Sequence, residues 1–314
     1  MRKTISIVTP CYNEQDNVEI AYKTVAALFD GPLKDYQLEY IFADNASDDE
    51  TVARLEAIAA KDPRVKVIVN ANNFGVFRSM FNGLLATSGD ASIPFLPADL
   101  QDPPSLIPEF VKLWEQGYKV VYGQRDKREE PFVKSMLRKL YYRFVARMSK
   151  NKAPLDAGEF QLIDRQVVDA LRQYDDYQPY LRGMIAACGF KSTGIKYTWA
   201  KRERGLSKAG LFAMFDQGLN GMVSSTAFPI RIGMMAGLVI SALSILFAFL
   251  NVILYLFDNN IADRGIMTLI VGTFFFGGVQ LFFVCLVGEY VASIHSQVRR
   301  GPLVVEDRRI NFTK

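Results

Sequence analysis

Two stretches of this chain, 233–257 and 266–287, contain no charged residue. Each exceeds the ~20 residues that a helix needs to cross a ~30 Å hydrocarbon core. Two adjacent segments of this length argue against a buried helical hairpin in a soluble protein. The connector 258–265 is short and carries Asp258, Asp263 and Arg264. Arg231 precedes the first stretch, and Arg299, Arg300, Arg308 and Arg309 follow the second. The excess of arginine on the flanks places both termini in the cytosol and the connector outside. The amino-terminal end does not read as a signal peptide. Met1-Arg2-Lys3 has the charge, but the apolar run 5–8 is too short and meets Pro10. The segment before the spans is therefore expected to stay cytosolic.

The remaining chain is long enough for one or two domains. A net charge of +4 and a pI near 8.8, next to apolar spans, suit anionic lipid headgroups better than nucleic acid. No basic stripe with interleaved aromatics supports nucleic-acid binding. Cys11, Cys188 and Cys285 are too far apart for a metal knuckle, and an odd number argues against a disulfide framework. His295 is the single histidine, which excludes sites that need two His ligands and a Ser–His triad elsewhere.

Residues 1–125 alternate between short β-branched runs and helical periodicity. Strands are expected at 5–9, 38–42, 65–69, 92–96 and 119–122. Helices are expected at 18–29, from a capping box at Ser47–Glu50 through 60, at 77–86 and at 106–114. This rhythm predicts an α/β fold with a mostly parallel, Rossmann-like sheet covered on both faces. Ligands of such sheets bind at the carboxyl ends of the strands, where Pro10 to Glu14, Asp44 and Asp99 fall.

Two segments read as amphipathic helices. In 132–148, Val133, Met136, Leu137, Leu140, Tyr141, Phe144, Val145 and Met148 share one face. Lys134, Arg138, Lys139, Arg143 and Arg147 are interleaved. This pattern fits a membrane-surface helix or an ordinary surface helix packed on the sheet. The second, 211–223, leads into the first span and is expected at the interface.

The strand ends carry the chemistry. In Thr9-Pro-Cys-Tyr-Asn-Glu14, Tyr12 suits stacking on a base and Glu14 suits a hydrogen bond to base or ribose. Asp44 ends the second strand, where a carboxylate suits ribose hydroxyls or a uracil N–H. Helix capping accounts for Ser47 and Asp49 but not for Asp44. Pro97-Ala-Asp-Leu-Gln-Asp-Pro-Pro104 clusters the oxygen donors Asp99, Gln101 and Asp102. Hard divalent cations take such ligands and bridge to diphosphate oxygens, neutralising a leaving diphosphate. An Asp-Pro turn opening the next helix explains Asp102 but fits Asp99 poorly.

In this order and spacing, 8–14, 44–51, 73–83 and 98–104 resemble family 2 of the inverting glycosyltransferases. Leu155-Asp-Ala-Gly-Glu-Phe-Gln-Leu-Ile-Asp-Arg165 is similar to the polyprenyl-phosphate subgroup. Arg202-Glu-Arg-Gly-Leu-Ser-Lys208 followed by two spans resembles its bacterial members, and the resemblance covers essentially the whole chain. It implies a glycosyltransferase-A type fold followed by amphipathic helices and two transmembrane helices. It implies that Pro10, Tyr12, Glu14 and Asp44, with Asp99, hold the nucleotide, and that Asp99 and Gln101 hold Mg²⁺ or Mn²⁺. Asp156 and Glu159 match the acidic pair near the sugar and, with Asp99, are the expected catalytic residues. Arg125 matches the arginine that faces the acceptor phosphate, helped by Lys134 or Arg138. Arg202, Ser207 and Lys208 match a mobile segment that closes over the diphosphate. Two positions depart from the family pattern. Pro97 replaces the first Asp of the metal motif, and Glu159 is longer by one methylene than the usual Asp.

The implied organisation is a cytosolic glycosyltransferase domain at 1–210, an interfacial helix at 211–229, transmembrane helices near 232–257 and 266–288, and a cytosolic tail at 291–314. The implied partners are a nucleotide sugar, UDP-linked by resemblance to the bacterial subgroup, a polyprenyl phosphate and the inner membrane. Leu303-Val-Val-Glu306 is expected to pair as a strand with a neighbouring subunit, which suggests a homo-oligomer such as a tetramer. A processive polysaccharide synthase is the nearest alternative, but neither Trp114 nor Trp199 lies in the Gln-x-x-Arg-Trp context of those enzymes. A non-catalytic nucleotide-sugar binder is the other, motivated by Pro97.

Overall fold

The computed structural model describes residues 2–127, 157–198, 262–298 and 301–312, together with 237, 239, 243 and 246. The chain divides into two units, Met1–Asp216 with Arg300–Lys314, and Gln217–Arg299. In the first unit the expected alternation is present as β1 (Thr4–Cys11), α1 (Val18–Asp30), β2 (Gln37–Asp44), α2 (Thr51–Ala59), β3 (Val65–Asn70), α3 (Val76–Leu85), β4 (Ala91–Ile93), α4 (Ile107–Glu115) and β5 (Val120–Lys127). Then follow β6 (Ala157–Asp164), α5 (Arg165–Leu171), α6 (Leu181–Ala187) and β7 (Ser192–Thr198), with β8 (Glu306–Ile310) near the carboxyl terminus.

The eight strands form one sheet in the order β7-β5-β6-β4-β1-β2-β3-β8. Strands β4, β1, β2 and β3 run parallel. β6 is antiparallel to both β4 and β5, β7 is parallel to β5, and β8 is antiparallel to β3. The sheet is therefore mixed, with six of its eight strands running one way and β6 and β8 opposed to them. A parallel centre covered on both faces needs near-continuous apolar strands. Ile5, Ile7 and Val8 of β1 and Tyr40, Ile41 and Phe42 of β2 are fully buried. Burying each such side chain contributes about 1.5–3 kcal/mol. Helix α3 lies close on β1, since a Cβ at Gly83 would sit 2.7 Å from Val8 Cγ1.

β4 is shorter than its apolar run because Pro94 lacks the N–H that would extend the ladder. The chain stays extended beyond it, with Leu96 N–H donating to the Val8 carbonyl at 2.9 Å. The capping box does not form. Ser47 turns back to Asp44, and Thr51 N–H is met by Asp49 Oδ1 at 3.0 Å.

β8 lies at 306–310, not 303–306, and closes the β3 edge of its own chain. Asn82 Nδ2 donates to Glu306 at 2.6 Å, and Asn311 Nδ2 donates to the carbonyls of Ala59 and Val65 at 2.7 and 2.9 Å. Arg78 Nη2 reaches the Pro302 carbonyl at 3.1 Å, and its guanidinium lies 4.1 Å from the Tyr177 ring centroid.

In the second unit, α7 (Ala262–Val298) runs for 37 residues, beginning before and ending after the expected second span. Its window Phe275–Ala292 is long and apolar enough to cross a membrane, the one such helix among the described residues. The first expected span is described only at Gly237, Val239, Leu243 and Leu246, which are helical. The amphipathic segments 132–148 and 211–223 lie outside the described residues.

Candidate active site

The carboxyl ends of β1, β2 and the segment after β4 form one edge, as the parallel register requires. Three non-glycine residues with positive φ fall there: Asn13 (53°), Ala46 (60°) and Leu100 (54°). Such conformations persist where surrounding bonds over-determine them, and they cluster at functional sites.

The first two loops are laced together. Asn13 N–H donates to Ser47 Oγ at 2.9 Å, Asp48 N–H to Asn13 Oδ1 at 2.8 Å, and Glu14 N–H to Thr51 Oγ1 at 2.9 Å. Asp44 is fully buried at the end of β2. Burial pushes its carboxyl above the usual carboxylate range, against the hydrogen bonds from Ser47 that favour the anion. Asn45 extends this wall to the next loop: its Oδ1 accepts from Phe74 N–H at 3.0 Å and its Nδ2 donates to Asn73 Oδ1 at 2.7 Å. Pro10, near the end of β1, and Tyr12 and Glu14, on the loop after it, are half-buried. Glu14 Oε2 accepts from Asn17 Nδ2 at 2.5 Å. The four residues expected to hold a nucleoside thus lie at two adjacent strand ends whose loops are fastened to each other.

Asp99 and Gln101 flank Leu100, and Gln101 N–H donates to Asp99 Oδ1 at 3.2 Å. A carboxylate and a carboxamide are hard oxygen donors that suit Mg²⁺ or Mn²⁺. Among the described residues no group of three His, Cys, Asp or Glu is placed to hold a metal. Two protein oxygens fit a cation that takes its other ligands from phosphate and water.

Asp102 departs from the cluster expected for it. It is 1% exposed and takes Arg125 Nη2 on both oxygens at 3.0 and 3.1 Å. The Tyr197 hydroxyl also donates to Asp102, and Arg125 Nε donates to Tyr197 Oη at 3.0 Å. Burial opposes the charge on Arg125, but Asp102 beside it holds the guanidinium above its ordinary pKa. Arg125 lies within β5 rather than after it, between a register shift against β6 at 122/124 and one against β7 at 125/127. Such irregularities re-aim side chains.

Glu159 on β6 joins this group. Its Oε2 is buried and has no hydrogen-bond partner. Burial raises its carboxyl pKa, while Arg182 and Arg125 pull it back toward the anion. Arg182, whose Nη2 donates to Tyr180 Oη at 2.6 Å, carries no motif that marks it in sequence. Nor does Tyr197, in an unremarkable strand. Asn45 and Asn73 had a legible signal, since both are amide residues just past strand ends. Asp156, Lys134, Arg138, Arg202, Ser207 and Lys208 lie outside the described residues.

Residues 6–172 match the family described as Glycosyl transferase family 2. An uncharacterized glycosyltransferase of Bacillus subtilis, YkcC, is 33% identical over 96% of this chain and 92% of its own length. The bactoprenol glucosyl transferase of Shigella phage SfII is 31% identical over 95% of this chain and 96% of its own. Among solved structures, glucosyl-3-phosphoglycerate synthase from Mycobacterium tuberculosis, in complex with Mn²⁺, UDP and phosphoglyceric acid, superposes with a TM-score of 0.53. It is 21% identical and covers 71% of this chain and 78% of that one. The mannosyltransferase PcManGT from Pyrobaculum calidifontis, in complex with GDP-Man and Mn²⁺, gives a TM-score of 0.51 at 20% identity, covering 74% and 65%. These two likenesses show the glycosyltransferase-A-like mixed sheet. The chain is a glycosyltransferase and belongs to glycosyl transferase family 2.

Proposed function

We propose that this enzyme transfers a sugar from a nucleotide diphosphate sugar, UDP-linked, to a polyprenyl phosphate at the cytosolic face of the inner membrane, with inversion. The observation that carries the reading is the near full-length similarity to bactoprenol glucosyl transferases, which extends past the catalytic domain into the apolar helix. Both termini are cytoplasmic in this reading, and the apolar segments anchor the chain in the bilayer.

Asp44, with Pro10, Tyr12 and Glu14, binds the nucleoside. Asp99 and Gln101 hold Mg²⁺ or Mn²⁺, which when bound supplies charge neutralisation to the leaving diphosphate. Arg202, Ser207 and Lys208 close over that diphosphate. Arg125, with Lys134 or Arg138, orients the acceptor phosphate, which is already an anion and needs no strong general base. Asp156 and Glu159 line the sugar and support positive charge at C1. Catalysis then rests on alignment and preorganised charge.

The test is incubation of purified protein with radiolabelled UDP-sugars and undecaprenyl phosphate. A labelled sugar-phosphate lipid is the expected product. Label in a long polymer, or in no lipid, overturns the reading.

A further inference from the structure

The best-defined charged contact at this edge is not between the expected substrate-binding residues. It joins Arg125 to Asp102, the last acid of the oxygen-rich turn, and to Tyr197, which no motif marks. Asp102 comes from the turn after Asp99 and Gln101, Arg125 from β5, and Tyr197 from β7, where it is the register partner of Arg125. The three make a closed ring of hydrogen bonds: Arg125 Nη2 to both Asp102 oxygens, Arg125 Nε to Tyr197 Oη, and Tyr197 Oη to Asp102 Oδ1.

One glycine makes room for the ring, and a second lies against it. A Cβ at Gly123 would meet Tyr197 Cε1 at 2.7 Å, so only glycine lets the tyrosine lie across β5. A Cβ at Gly158 would touch Arg125 Nε at 3.5 Å, so β6 forms the floor under the guanidinium. The neighbouring Glu159 carries its buried, unpartnered Oε2. A guanidinium recognises phosphate through a planar fork, so the orientation of that plane decides whether the anion is met well.

We propose that Asp102 and Tyr197 are positioning residues that act through Arg125, fixing the plane of its guanidinium for the acceptor phosphate. The inference rests on the acceptor reading given above. It ties the cation-holding turn to the acceptor side through one side chain, Asp102, so the two ends of the transfer share a rigid element. Tyr197→Phe removes the hydroxyl and little else. Gly123→Ala leaves every polar group in place but displaces the tyrosine ring.

The experiment measures three things on full-length wild type, Tyr197→Phe and Gly123→Ala in detergent. These are undecaprenyl phosphate binding by scintillation proximity, UDP binding with Mn²⁺ by calorimetry, and thermal midpoint. Both variants are expected to bind undecaprenyl phosphate about tenfold more weakly, the loss of one well-placed hydrogen bond, with UDP affinity unchanged and the midpoint lowered by only a few degrees, from the lost buried bond in one and the overpacked ring in the other. Unchanged lipid-phosphate affinity in Tyr197→Phe overturns the proposal. So does a fall of UDP affinity that matches the lipid-phosphate loss in both variants, which marks a purely structural ring. If wild type itself fails to bind undecaprenyl phosphate, the acceptor reading fails and takes this proposal with it; failure of the positioning role alone leaves wild-type binding intact.

Discussion

The carboxylate of Asp44 accepts both the backbone N–H of Ser47, at 3.0 Å, and its hydroxyl. One serine thus orients a buried acid, across a turn that forces Ala46 to a φ of 60°. Asp44→Ala is expected to weaken UDP binding about 10- to 100-fold, the cost of losing hydrogen bonds to a charged group. Ser47→Ala should give a smaller loss, because the backbone N–H still holds one oxygen. Calorimetry at neutral pH measures both. Undiminished affinity in Asp44→Ala removes it from the nucleoside site.

Asp99→Ala is expected to reduce turnover to near background while the thermal midpoint stays within a few degrees. Chelation by EDTA should do the same to wild type, with recovery on adding Mg²⁺ or Mn²⁺. The motif is short of one carboxylate at Pro97. Pro97→Asp should therefore lower the Mn²⁺ concentration for half-maximal activity, by about tenfold, since ligand charge sets cation affinity. Full activity after exhaustive chelation refutes the cation role.

Glu159 links pH to stability. Its carboxyl pKa is raised in the folded state by burial, so the folded protein holds that proton more tightly than the unfolded chain. The contribution is full below the ordinary carboxylate range and is lost as pH rises through the raised value. Glu159→Gln should therefore be more stable than wild type at pH 7–8 by about 1–3 kcal/mol, the cost of an unsatisfied buried group. The advantage should vanish near pH 4. Thermal melts across this range decide it, and an advantage that grows toward acid pH contradicts the assignment.

The tail is expected to be part of the catalytic domain's stability. Asn311→Ala leaves the Ala59 and Val65 carbonyls without their side-chain donor and should cost about 1–3 kcal/mol. Removing 304–314 bares the β3 edge, a template for pairing with other chains. Light scattering should then show association that the full chain lacks. A truncated chain with unchanged midpoint and size would show that β8 is dispensable.

Much of the first half of the fold was legible because it is written locally. Period-two and period-3.6 apolar patterns located β1 to β5 and α1 to α4, and parallel order then put Asp44 and Asp99 on one edge. Boundaries shifted where a single group decided them, as Pro94 did for β4 and as Asp44 did by capturing Ser47. β6 and β7 were not legible as strands. β7 has few apolar residues, and the place of both strands in the sheet depends on neighbours far away in sequence.

The sequence by itself determined the family, the strand–helix rhythm, the oxygen-rich strand ends and an apolar helix long enough to cross a membrane. Each of these depends on residue type and on spacings within a few turns of chain. The tertiary structure alone decided that Asp102 bonds to Arg125 and Tyr197 rather than standing with Asp99 and Gln101, and that the tail closes its own sheet at β3. Those outcomes depend on strand register between distant segments. A carboxylate buried at 1% exposure must find its counter-charge wherever the fold brings one.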